Sequence, residues 1–215
     1  PHFVDVEKNT LGIDPIKLDK YLSKNTYMNN KSCYNKKTNR KISALIVLHA
    51  FGHPAKIEEI KKISKKYNFF LIEDAAEALG SKYKNKHLGT FGDVGITSFN
   101  GNKIITTGGG GAILTNSAKL AKDSKHLTTT AKIAHPWDFI HDTIGYNYRL
   151  ANINASLGIS QLKKLSKYLS RKRKLFFKYN KMLKNCKDYY ILNEPKNCKS
   201  NFWLQTLVIK KSSKF

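Results

Sequence analysis

Two short, nearly uninterrupted apolar runs, Ile42 to Leu48 (ISALIVL) and Phe69 to Ile72 (FFLI), constrain this chain more than any other feature. A strand that is apolar at successive positions reads as buried on both faces, which is the environment of a parallel sheet. Between the runs, Pro54 opens a helix in which Ile57, Ile60, Ile63 and Tyr67 fall at spacings of 3, 3 and 4 and share one stripe. That stripe covers the sheet, and strand, helix and strand together place the chain in the α/β class.

The alternation continues on both sides. His2 to Val6 reads as a short strand, and Asp14-Pro15 supplies an N-cap and an N1 proline for a helix carrying Leu18, Tyr21 and Leu22. Asn25 to Lys41 has no periodicity and reads as loop. Val94 to Phe99 and Ala112 to Thr115 read as strands, Ser117 caps a helix to Leu127, and Thr128 to Thr143 is irregular. A helical pattern starts at Asn152, passes Ile159, Leu162, Leu165 and Leu169, and reaches toward Leu183. Phe202 to Ile209 reads as a strand with nothing after it to pair with. At 215 residues the chain suits one domain with an appendage, divided here into 1–165 and 166–215.

Composition narrows the function classes. No run approaches the roughly 20 apolar residues of a membrane span, and the first residues have neither the basic head nor the apolar centre of a signal peptide. Three widely spaced cysteines, Cys33, Cys186 and Cys198, offer no disulfide framework and no zinc spacing, which fits a reducing cytoplasm and no metal. A formal charge of +24 brings nucleic acid to mind. However, only Arg40, Arg149, Arg171 and Arg173 are arginine, the residue that bidentate phosphate and base recognition favours, and the lysines are scattered among asparagines and isoleucines as in biased codon usage. Nucleic-acid binding is therefore a minor alternative, and the dense basic run from Lys163 to Lys174 reads as the solvated face of a helix.

The chemistry-bearing residues lie at strand ends. Asp74 follows the second apolar run, and ligands of open α/β sheets bind outside the carboxyl ends of the strands. Glu77 stands three residues on and shares a face with Asp74 if a helix begins here; the competing reading makes one a helix cap and the other a complement to the helix dipole. Lys103 sits on a loop between two strands, followed by Gly108 to Gly111. A Walker A loop needs its glycines before a Lys-Ser or Lys-Thr pair, so nucleotide hydrolysis is disfavoured. Taken alone, the glycines serve equally as a tight turn and Lys103 as a surface charge.

An ordered series of segments resembles a known family. Phe51-Gly52-His53-Pro54, then Glu73-Asp74-Ala75-Ala76-Glu77-Ala78-Leu79-Gly80-Ser81, then Gly89-Thr90-Phe91-Gly92-Asp93, then Ser98-Phe99 with Lys103 and the glycines, then Gly145-Tyr146-Asn147-Tyr148-Arg149 resemble the DegT/DnrJ/EryC/StrS sugar aminotransferases. The resemblance implies the type I aminotransferase fold: a three-layer large domain with a mostly parallel sheet, plus the start of a small α+β C-terminal domain. It implies pyridoxal 5'-phosphate as cofactor. Since a lysine amine condenses with an aldehyde, Lys103 is expected to anchor the cofactor and to act as acid and base. Asp74 is expected beside the pyridine nitrogen, Ser98 at the phosphate, Glu77 near the ring, and Asn147 at the phosphate from a second subunit of a homodimer. Ser98 to Lys103 and Leu127 to Lys132 resemble the branch that aminates C4 of UDP- or GDP-linked 4-keto-6-deoxy-N-acetylhexosamines with glutamate as donor, leading to bacillosamine or legionaminic acid. His53, before a proline at a helix start, is left as a local structural residue.

Parts of the family pattern are missing. No segment matches the Gly-Thr-Ala loop that cradles the cofactor phosphate at a helix N-terminus, and the small domain stops soon after Ile209. The expectation is a piece of a longer protein, cut at both ends, that does not hold the cofactor stably by itself. A non-catalytic nucleotide-sugar binder with the same fold is the alternative, and the presence of Lys103 argues against it.

Overall fold

The computed structural model describes residues 1–210. Asp14 caps α1 (Pro15–Asn25) by accepting from the Ile16 and Lys17 N–H groups, with Pro15 at the first helical position. Then come β1 (Thr26–Asn29), β2 (Ser32–Asn35) and β3 (Lys41–Ile42), an antiparallel sheet in the stretch expected to be loop. Asn30 and Lys31 both have left-handed φ, the backbone that a two-residue hairpin turn needs, and Cys33 and Asn35 alternate inward. Conversely, no strand forms at His2 to Val6, which makes a single bridge between Val6 and Ile13.

The central sheet holds β4 (Ala44–Leu48), β5 (Phe70–Asp74), β8 (Val94–Ser98) and β9 (Gly111–Leu114) in that order. The first three are parallel and β9 is antiparallel, so the mostly parallel sheet is borne out. Between β4 and β5 runs α2 (Ile57–Lys66), whose Ile57 and Ile60 pack with Leu18, Leu22, Leu45, Val47 and Leu71 into one core. Burial of a Leu or Ile side chain there contributes roughly 1.5–3 kcal/mol. The opposite face of the sheet is open. Ile46, Leu48, Phe70, Ile96 and Ile113 are 36–63% exposed, so these strands are not buried on both faces as their apolar runs imply; α2 packs on the other face, against Leu45, Val47 and Leu71.

Short strands β6 (Lys82–Tyr83) and β7 (Lys86–His87) form a hairpin after β5. Helix α3 (Ala118–Thr128) follows β9, capped by Ser117. The long C-terminal helical pattern is two helices, α4 (Asn152–Leu162) and α5 (Leu165–Met182). Strands β10 (Tyr189–Ile191) and β12 (Leu207–Ile209) pair antiparallel, and β11 (Cys198–Lys199) joins β6. The expected Phe202 to Ile209 strand is thus a strand only over its last three residues, and its partner lies upstream. Phe202 and Trp203 are instead buried in the connection before it. Among the described residues no helix is long and apolar enough to cross a membrane, and no cluster of His, Cys, Asp or Glu could hold a metal. The three cysteines are free.

Candidate active site

The carboxyl ends of β4, β5 and β8 form one rim. In parallel register Leu48, Asp74 and Ile96 align across it. Because side chains alternate along a strand, Glu73 points into the covered side and Asp74 onto the open one.

Glu73 is fully buried. Its Oε2 accepts from His49 Nε2 at 3.0 Å and from the Gly89 N–H at 2.9 Å; its Oε1 accepts from the N–H groups of Phe91 and Gly92 at 2.5 and 2.6 Å. His49 Nδ1 accepts from the Ala55 N–H, which places the ring proton on Nε2, facing the carboxylate. Burial pushes the Glu73 carboxyl upward, but the His49 donor and the backbone N–H groups outweigh it and hold the group below its usual range. The Gly89-Thr90-Phe91-Gly92-Asp93 motif thereby acquires a physical reason: it wraps a buried carboxylate and fixes the end of β5. At Gly95 a Cβ would stand 2.0 Å from Gly89 O.

Asp74 closes β5 on the open face, its Oδ1 accepting from the Ala76 N–H at 3.1 Å. No helix begins here; the chain turns through Ala75 to Gly80. The shared helical face expected for Asp74 and Glu77 is therefore replaced by a turn that sends Glu77 toward Lys103. Ser98 ends β8 on the same face as Asp74, and its Oγ accepts from the Asn100 N–H.

The Lys103 loop closes on itself. Phe99 donates to Gly110 O, Thr107 donates to Phe99 O, and Ile104 and Ile105 are buried, so the lysine stands on an anchored loop. Gly108 and Gly110 have left-handed φ, and a Cβ at Gly111 would meet Thr97 O at 2.4 Å. The glycines are a turn and a close packing contact, as one reading of them holds. Lys103 is not a free surface charge. Its side chain is 14% exposed, its Nζ lies 3.9 Å from Glu77 Oε1, and it stands 4.2 Å from the centroid of the Trp203 ring.

Glu77 is aimed by its second oxygen, which accepts from the Phe51 N–H at 2.6 Å. Phe51 holds a left-handed φ of 55°, a conformation that costs a bulky residue of order 1–3 kcal/mol and gathers at functional sites. The segment from Ser200 to Trp203 crosses over this loop. Asn201 Nδ2 donates to the carbonyls of Glu77 and Leu79, Ser81 and Ser200 hydroxyls both donate to Gly52 O, and Trp203 Nε1 donates to Asn102 O at 2.7 Å. Arg173 and Glu194 form a bidentate pair that also holds Ser200, so this arginine of the basic run is engaged rather than solvated. His53 is buried edge-on to Phe202 with neither ring nitrogen partnered, and burial lowers its pKa to about 4.

Asn147 lies apart from this cluster. It is exposed, bridges to Thr129, and accepts from Arg149. The segment around it pairs Thr129 with Asn147 and Lys132 with His141 and is more ordered than an irregular stretch implies. A cavity of about 780 Å³ between β9, α3 and residues 148–154 is lined by Arg149 and the glycines and does not include Lys103. Sequence reasoning missed Asn201, Trp203 and the Phe51 backbone, whose roles depend on contacts across long stretches of chain and carry no local signal.

Residues 1–215 match the DegT/DnrJ/EryC1/StrS aminotransferase family along their whole length. The chain belongs to that family. It is 37% identical over 199 residues to a GDP-perosamine synthase of Escherichia coli O157:H7, covering 93% of this chain and 53% of the relative. A second relative, a UDP-4-amino-4,6-dideoxy-N-acetyl-beta-L-altrosamine transaminase of Campylobacter jejuni, is 37% identical over 180 residues, 83% of this chain and 44% of its own length. Helicobacter pylori PseC, an aminotransferase involved in the biosynthesis of pseudoaminic acid, superposes with a TM-score of 0.85 at 27% identity over 98% of this chain and 53% of that one. The chain thus spans about half the length of these relatives. Its α/β architecture is that of the aminotransferase fold over the part it covers.

Proposed function

We infer that the protein transfers an amino group from glutamate to C4 of a UDP- or GDP-linked 4-keto-6-deoxy-N-acetylhexosamine, with pyridoxal 5'-phosphate as cofactor. The observation that carries the reading is the single lysine of the β8–β9 loop, largely buried beside Glu77, next to the strand ends where Asp74 and Ser98 share a face. The donor set fits the cofactor: an amine for its aldehyde, a carboxylate for its pyridine nitrogen and a hydroxyl for its phosphate. Bound there, pyridoxal phosphate supplies an electron sink that lets an amino group pass between carbon centres.

The chain's own residues do the rest. Lys103 would hold the cofactor through its Nζ, and its free amine would take the proton from the donor's α-carbon in one half of the transfer and deliver one to C4 of the sugar in the other. Asp74, already oriented by the Ala76 N–H, would hold the pyridine nitrogen in its protonated form. Ser98 binds the phosphate. Glu77, locked by the Phe51 N–H beside Lys103, would lie near the cofactor ring. Asn147, exposed and outside the lysine cluster, reaches the phosphate of a partner subunit in a two-fold dimer. This reading divides the chain into a cofactor-binding part (1–165) and the start of a small domain (166–215), and its free thiols suit a cytoplasmic setting. A non-catalytic nucleotide-sugar binder would have no use for a lysine packed between a carboxylate and an indole.

The test is Lys103→Ala. In a version extended to the length of the relatives, wild-type protein mixed with pyridoxal phosphate and reduced with borohydride is expected to carry the label on the Lys103 peptide, and the variant to lose both label and transamination. A variant that still turns over sinks the assignment.

A further inference from the structure

We propose that Trp203 is a positioning residue for Lys103: its indole sets the direction of the Nζ amine, so that a segment one hundred residues downstream shapes the reactive geometry. The inference rests on the reading of Lys103 as the cofactor lysine. A lysine side chain is a flexible stem with no preferred direction of its own. Here Nζ has two neighbours that fix it, the Trp203 ring at 4.2 Å and Glu77 Oε1 at 3.9 Å. The ring's electron-rich face attracts an ammonium, and a protein-enclosed site strengthens that attraction.

Trp203 is itself held by three hydrogen bonds, one at the indole and two at the backbone. Its Nε1 donates to Asn102 O, the carbonyl immediately before Lys103; its backbone N–H donates to Asn201 Oδ1 at 2.8 Å; its backbone carbonyl accepts from Lys172 Nζ at 2.9 Å. Asn201 in turn donates to Glu77 O and Leu79 O. One short segment therefore grips the lysine loop and the carboxylate loop together. Phe202, between the two gripping residues, has a left-handed φ of 49°, a conformation kept only where the surroundings enforce it. A tryptophan serving only as core filler for Ile104 and Ile105 would leave the lysine indifferent to its replacement.

Two readouts, both taken on a version extended to the length of the relatives, separate positioning from packing. Lys132 and Lys86 also stand over rings, those of Phe139 and Phe91, so the Lys103 signal is assigned by difference: reductive methylation with ¹³C-formaldehyde is expected to give an upfield-shifted dimethyl-lysine signal that is absent in Lys103→Arg and returned to the bulk position in Trp203→Leu. Labelling by pyridoxal phosphate and borohydride, mapped by peptide, is expected to fall at least fivefold at Lys103 in Trp203→Leu and at least twofold in Trp203→Phe, with circular dichroism unchanged. Should Trp203→Leu unfold, Trp203→Phe, which fills most of the same space, decides the matter alone. No shifted wild-type signal that Lys103→Arg removes, or labelling of Lys103 indifferent to Trp203, overturns the positioning role alone. A shifted signal on a wild-type Lys103 that takes no label overturns the cofactor-lysine reading and this proposal with it.

Discussion

Replacing Glu73 by glutamine tests the claim that the rim of the site hangs on one buried carboxylate. Glu73 accepts four hydrogen bonds, two at each oxygen. Glutamine keeps one oxygen and turns an NH₂ toward the other pair of donors, so two buried N–H groups lose their acceptor whichever way the amide is turned. An unsatisfied buried donor costs about 1–3 kcal/mol, which puts the loss at roughly 2–6 kcal/mol against a total stability of order 5–15 kcal/mol. Urea unfolding at pH 7 measures it, with the midpoint moving and the slope kept. The pH dependence gives an independent sign. The folded-state pKa of Glu73 is depressed, so its contribution is fully present above the unfolded value near 4.5 and is lost as pH falls through the folded value. Wild type is therefore expected to lose stability on acidification below about pH 4.5 more steeply than Glu73→Gln. A loss under 1 kcal/mol at pH 7, together with unchanged acid sensitivity, refutes the argument.

Asp74→Asn removes charge and little volume, so it is expected to keep the unfolding midpoint while lowering transamination at least tenfold, about 1.4 kcal/mol of barrier; a smaller loss makes Asp74 only the cap of the Ala76 turn. Lys103→Ala and Asn147→Ala chains, co-expressed in versions extended to the length of the relatives, are expected to recover activity in mixed dimers if Asn147 serves the partner's site; no recovery, with mixed dimers confirmed by mass, counts against that role. Gly52→Ala puts a Cβ 1.8 Å from Asn201 Oδ1 at a φ of +88°, so it is expected to dislodge the Ser200 to Trp203 segment and expose Trp203. Red-shifted tryptophan emission in a Trp137→Phe background reports this, and unchanged emission refutes it.

The chain's periodic and capped elements were legible from sequence because their signals are local. Asp14-Pro15 announces α1, the stripe Ile57, Ile60, Ile63 and Tyr67 announces α2, and the apolar runs announce β4 and β5. The carboxylates at the end of β5 and the lysine between β8 and β9 followed from the same patterns and from the ordered family motifs. The β1–β2 hairpin escaped notice because its strands are four residues long and half polar, so neither alternation nor hydrophobicity rises above the background of a loop. Tertiary structure alone decided three further matters. An apolar strand looks the same in sequence whether one face or two are covered, so only packing reveals that Ile46, Phe70 and Ile96 stand open. Glu77 has no helix to share with Asp74, and its direction comes from the backbone N–H of Phe51, 26 residues earlier. The Trp203 ring reaches Lys103 because Asn201 and Arg173 pull a distant segment over the site. Propensity and periodicity act over a few residues, whereas the surroundings of a reactive group are assembled by contacts whose partners share no local pattern.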